Sequence, residues 1–157
     1  MSATFKLEGF ADLERELEKL GKASARKASA RRALKKAAAP MAEIARGLAP
    51  RDEDGERHMA DSIAVSTKLS KRQSGAHRKM FRNDKAAVEM FVGPGPFPAA
   101  WNQEFGNVNH GPQPFMRPAF DQDHMALLDR LKSELWADIE KAVARAEKKA
   151  AKAARSG

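Results

Sequence analysis

The sequence predicts an α+β fold in which a small, mainly antiparallel sheet packs against long N-terminal and C-terminal helices. Three observations carry that reading. Apolar residues recur every three or four positions over Ser24 to Leu48 and again over Leu128 to Ala146, the spacing of one helix face. Short stretches around Phe5, Ile63 and Val88 alternate or are β-branched, as strands are. No internal repeat is present, and 157 residues at 42% hydrophobic content fit one domain spanning 1–157.

In chain order, Thr4 to Glu8 alternates Phe5 and Leu7 with polar residues, a half-buried strand that Gly9 ends. Phe10, Leu13, Leu17 and Leu20 then line one helix face, with Asp12 and Glu14 near the positive end of the helix dipole and Gly21 as its stop. A long helix follows from about Ser24 to Leu48, with the stripe Ala30, Leu34, Ala37, Met41, Ile44 and Leu48. Pro40 removes one of its backbone bonds, so a kinked helix is expected, because the stripe keeps its phase across the proline. Ala49-Pro50 ends it, and Arg51 to Arg57 is a polar turn.

Asp61 to Leu69 reads as a strand, and Ala86 to Val92 is the strongest strand candidate. Between them, residues 68–85 read as a mobile basic loop, since Ser74-Gly75 is a turn signal and little there is apolar. Gly93 to Pro98 stops the second strand, and Ala99 to Phe105 forms a short helix. Pro118 suits the first turn of the last helix, whose inward face reads Leu128, Leu131, Leu135, Ile139, Ala142 and Ala146. Residues 147–157 have little to bury and are expected to fray.

The formal charge is +8, from 29 basic and 21 acidic residues, with basic clusters at Lys19 to Lys36, Lys68 to Lys85 and Lys141 to Arg155. Such clusters attract nucleic acid or an acidic protein, although charge runs are usually solvated faces. Within 68–85, Lys71, Arg72, Arg78, Lys79 and Arg82 are the contact candidates for a partner or for DNA. Phe81 is the only aromatic there, too little to stack single-stranded bases. Cysteine is absent, which removes disulfides and thiol chemistry and fits a reducing cytoplasm. Residues Met1 to Phe10 do not read as a signal peptide, and no apolar run is long enough to span a bilayer.

Catalytic patterns are not evident. His58, His77, His110 and His124 lack ligand spacing, and Asp52 to Gly55 lacks the closing glutamate of a calcium loop. Gly93-Pro-Gly-Pro lacks both the lysine and the backbone donors of a phosphate cradle. Glu104 near His110 has no second carboxylate or nucleophile at a defined spacing. The expectation is therefore a non-enzyme with no metal and no cofactor. Arg117, flanked by Phe115 and Pro118, points to a structural pair with a carboxylate, Glu104 first.

Short motifs in a fixed order identify a resemblance. They are Glu8-Gly-Phe-Ala-Asp-Leu13, Leu48-Ala-Pro50 before a polar turn, Asp61-Ser-Ile63, Val92-Gly-Pro94, Glu104-Phe-Gly106 and Pro114-Phe-Met-Arg-Pro-Ala-Phe120. Together they resemble the tail-completion or head-tail joining family of lambda-like siphophages. Trp101 and Asn107 depart from that pattern, as does the long basic insert around Lys68 to Asn83. The resemblance implies a virion protein of the neck or tail, assembled in the bacterial host cytoplasm. It implies a ring of copies of itself, sixfold to match tail symmetry, bound to other neck and tail proteins. For the basic segment 68–85 the expected partner is first an acidic surface on an adjoining ring and second transiting DNA, in nonspecific contact. Glu104, Phe105, Gly106, Phe115, Arg117 and Pro118 are then the structural-motif and interface candidates. A nonenzymatic, basic nucleic-acid-associated protein is the alternative from another class, and an enzyme with an unrecognised site is a weaker third.

Overall fold

The computed structural model describes residues 10–51, 58–83 and 88–156. The expected strand at Thr4 to Glu8 and most of the polar turn at Arg51 to Arg57 lie outside them, as do residues 84–87. The described chain forms α1 (Phe10–Glu18), α2 (Ala23–Leu48), a short 3-10 turn (Met59–Ser62), β1 (Ala64–Ser66), α3 (Lys71–Met80), β2 (Phe91–Gly93), α4 (Ala99–Phe105) and α5 (Met116–Arg155). The architecture is α+β, with two antiparallel strands registered as Ala64 on Gly93, Val65 on Val92 and Ser66 on Phe91.

The helix α1 ends as its sequence predicts. Gly21 takes a left-handed φ of 68°, and its N–H donates to Glu18 O at 3.0 Å. Leu13 is buried, and with Ala33, Leu135 and Ile139 it makes one of two apolar clusters, flanked by Leu17, Leu131, Trp136 and Val143. The other cluster joins Met41, Ala42 and Ala45 of α2 to Ala60, Ile63, Phe115 and Ala119, with Val65 and Val92 packed against it.

α2 runs unbroken from Ala23 to Leu48 through Pro40. Its buried face differs from the expected stripe. Ser29, Ala33, Ala37, Ala38, Met41, Ala42 and Ala45 are buried, whereas Leu34 and Ile44 are half-buried and Leu48 is exposed. Small side chains let α5 approach closely, and the axis of contact follows the alanines rather than the leucines. The inward face of α5 shifts too. Leu135 and Ile139 are buried as expected, Leu128, Leu131 and Ala142 are half-buried, and Ala146 is exposed. Ala119 and Asp123, which precede Leu128 and lie outside the expected face, are buried.

Asp123 is a buried carboxylate that the apolar pattern does not reveal. Arg130 donates to its two oxygens at 3.1 and 2.5 Å and also to the carbonyl of Ala37, at 3.0 and 2.9 Å. That carbonyl lies in the turn before Pro40, where the proline takes away one backbone donor. One guanidinium thus ties α5 to α2 beside the proline. Nearer the N-terminus of α2, Arg32 forks onto Asp138 at 2.8 and 2.7 Å, and Lys36 reaches Glu134 at 3.3 Å. The Arg32 bond, outweighing burial and helped by Ser29, holds the Asp138 carboxyl below the ordinary carboxylate range, while Asp138 raises the Arg32 pKa.

The local structure differs from expectation in three places. The segment read as a basic loop contains the helix α3, opened by a reciprocal capping box. Ser70 Oγ accepts from Gln73 N–H, and Gln73 Oε1 accepts from Ser70 N–H at 3.1 Å. Ser-Gly at 74–75 suggests a turn, but the cap overrides it. Among the described residues the strands are also shorter than expected, because Asp61 and Ser62 belong to the 3-10 turn and β2 covers Phe91–Gly93 without residues 88–90, while Ala86 and Ala87 of the expected strand lie outside the described residues. The C-terminal residues expected to fray continue α5 as far as Arg155, a run of alanine and lysine with high helix propensity.

Candidate functional site

The glycine and proline run Gly93 to Pro98 ends β2, and α4 follows at once. Glu104 lies in the last turn of that short helix and is only 6% exposed. Its Oε2 accepts from the N–H groups of Phe115 and Met116 at 2.8 and 2.9 Å, and its Oε1 accepts from Arg117 N–H at 3.0 Å. Those groups open α5, whose first-turn donors have no partner within their own helix. Pro118 is the third helical residue and has no N–H to satisfy. One carboxylate therefore caps a helix that starts 12 residues later in the chain.

Arg117 closes the arrangement from outside. Its Nε donates to Glu104 Oε1 at 3.0 Å, its Nη2 donates to Glu104 O at 2.6 Å, and its guanidinium carbon lies 4.8 Å from the centre of the Phe105 ring. Burial pushes the Glu104 carboxyl up, but the three backbone N–H groups and the arginine outweigh it and hold the group below the ordinary range.

Gly106 completes the geometry. Its φ is 76°, and a Cβ there would stand 2.9 Å from Pro112 N, so no other residue fits without strain. The loop that returns to α5 is pinned by Asn107 Oδ1, which accepts from Asn109 and His110 N–H, and by Gln113 N–H donating to Gln103 O at 2.7 Å. Residues 105–112 line a shallow open depression beside it.

The structure brings together all six motif candidates: Phe115 is fully buried, and Glu104, Gly106, Arg117 and Pro118 build the cap beneath the exposed ring of Phe105. Other large apolar side chains of α4, the loop after it and the start of α5 are exposed. Trp101 is 70% exposed and packs on Phe105 at 4.4 Å; Val108 is 99% exposed; Phe120, stacked on His124 at 4.9 Å, and Met125 are also exposed.

The other five candidates, Lys71, Arg72, Arg78, Lys79 and Arg82, are exposed on α3 and the turn that follows it. His77 holds that helix to the body, edge-on to Phe91 at 5.2 Å and 3.5 Å from Glu89. Among the described residues, no group of histidines and carboxylates is placed to hold a metal ion, and no helix is long and apolar enough to cross a membrane.

A family model described as HK97-gp10-like, "Bacteriophage HK97-gp10, putative tail-component", matches residues 11–106. The matched span covers more than half of the chain, takes in Glu104 to Gly106, and stops before Pro114 to Phe120. No curated protein and no solved structure matches the chain.

Proposed function

Because the chain belongs to the HK97-gp10-like family of bacteriophage tail components, we propose that it completes the tail or joins it to the head as a structural ring subunit at the neck. It works in the virion, after assembly in the host cytoplasm, by shape rather than by catalysis. The ring is sixfold, matching the symmetry of a tail, and it contacts other neck and tail proteins. The observation that supports this reading is the exposed pair of Trp101 and Phe105, packed on each other at 4.4 Å and set against Arg117 of the Glu104 cap. Large apolar side chains left in water on a well-braced surface mark interaction sites, and aromatic and methionine side chains are enriched in interface cores.

Deletion of the gene from its phage tests the proposal. DNA-filled heads with separate tails, or joints that fall apart, are the expected particles in the electron microscope. Fully joined, infectious particles would overturn it. Trp101→Asp gives a finer test at the level of the surface. It should leave the melting temperature within about 1 °C of wild type, as exposed substitutions do, while lowering the yield of joined particles.

A further inference from the structure

We infer that the outer face of α3 is a sequence-independent binding surface for double-helical DNA, gripping the phosphate backbone. At about 100° per residue, Lys71, Arg72, Arg78 and Lys79 fall within an arc of about 120° on that helix. Gly75 is the only other residue inside the arc. Arg82 extends the positive surface into the following turn. From Lys68 to Asn83 the chain carries no acidic residue, and none of these five cations pairs with a described carboxylate. The contrast with α2 is direct, since Arg32 and Lys36 there are met by Asp138 and Glu134 of α5.

The chemistry of the face favours a polyphosphate over a protein. A protein interface needs an apolar core and is poor in lysine. The arc offers four cations and a glycine, with no apolar side chain. Phosphate binding needs only fixed positive charges and close approach. Gly75 supplies the approach: nothing lies within 4 Å of where its Cβ would stand, so the body of the protein does not require a glycine there. A helix interior loses stability at glycine relative to alanine, and the bare backbone at the centre of the arc lets a phosphate come near. Met80 projects from the opposite side of the helix and Phe81 is engaged with His77 at 4.8 Å, which leaves no stacking platform for single-stranded bases. The helix is capped by its Ser70 and Gln73 box and held to β2 through His77, so the cations sit on a braced support.

The test is fluorescence anisotropy of the full-length protein with two labelled duplexes of unrelated sequence, read over a salt series. Both duplexes should bind equally, with a steep loss of affinity as salt rises. The variant K71Q/R72Q/R78Q/K79Q should bind at least ~100-fold more weakly at low salt, and its log–log salt slope should be shallower by about 3 to 4. Gly75→Leu should weaken binding about tenfold with unchanged circular dichroism. The matching change on the tail of α5, K148Q/K149Q/K152Q/R155Q, should keep most of the affinity. Absence of binding by well-folded wild type at low salt would overturn the inference. So would loss of binding with the tail variant but not the α3 variant. Polyglutamate competing as well as a duplex of equal charge would also overturn it, in favour of an acidic protein partner. None of these outcomes depends on the ring or neck assignment, which the gene deletion tests separately.

Discussion

Glu104 and Arg117 form a pair in which the carboxylate matters more than the arginine. The arginine side chain is 55% exposed, so its ionic contribution is screened by water. Glu104 serves three backbone donors at the start of α5 and is almost fully buried. Glu104→Ala should therefore cost about 3 kcal/mol, because orphaned donors lose their acceptor together, whereas Arg117→Ala should cost only about 1 kcal/mol. Denaturant melts of both variants check the order; equal losses would show that the guanidinium holds the segment.

The pH dependence follows from the same residue. The Glu104 carboxyl is held below its ordinary value, so its contribution is present above the unfolded pKa and is lost as pH falls through the folded value. The melting-temperature gap between wild type and Glu104→Gln should be full at pH 7 and narrow below about pH 4. A gap independent of pH would mean that the charge contributes nothing. Gly106→Ala should destabilise by about 1–3 kcal/mol, since it combines a positive φ with a clash against Pro112. Full stability in that variant would show that the turn relaxes.

Among the elements, the contact between α2 and α5 carries most of the packing, and its alanine face decides how near the two helices lie. Ala37 and Ala45 are completely buried, and Ala42 nearly so. Ala42→Leu should destabilise by about 1–3 kcal/mol through overpacking, while Leu48→Ala, on the exposed side, should change little. Thermal melts of the pair distinguish this face from the one that the spacing of larger residues suggests. The clamp of Arg130 on Asp123 and Ala37 O belongs to the same contact. Removing either member leaves a buried or half-buried partner without compensation, which is costlier than replacing both.

For the whole molecule, the two clusters of the core are joined by α2 and α5, each of which contributes residues to both. The sheet is a minor attachment to this helical pair. The surface then divides by chemistry. Exposed aromatics gather where α4 meets α5, and cations without a carboxylate partner among the described residues gather on α3. Single substitutions of these exposed aromatics and cations should leave the melting temperature near that of wild type, because their side chains lie outside the core.

Much of the architecture is legible in the sequence because it is set by local chemistry. The stop of α1 at Gly21, the short helix at Ala99–Phe105 and the first-turn role of Pro118 all follow from residues within a few positions of each other. The Glu104 and Arg117 pairing is also legible, because an arginine between apolar neighbours calls for a carboxylate. The helix α3 is missed because a glycine next to a serine masks a cap four positions earlier. The inward face of α2 is decided only by the tertiary structure. An alanine-rich helix is apolar on several sides, and the side that is buried is the one that lets α5 come closest. The same holds for Glu104 as a helix cap, since its donors belong to another element and meet it only when the chain from Gly106 to Pro114 turns back. Local spacing determines which residues form helices, and packing distance determines which of their faces meet.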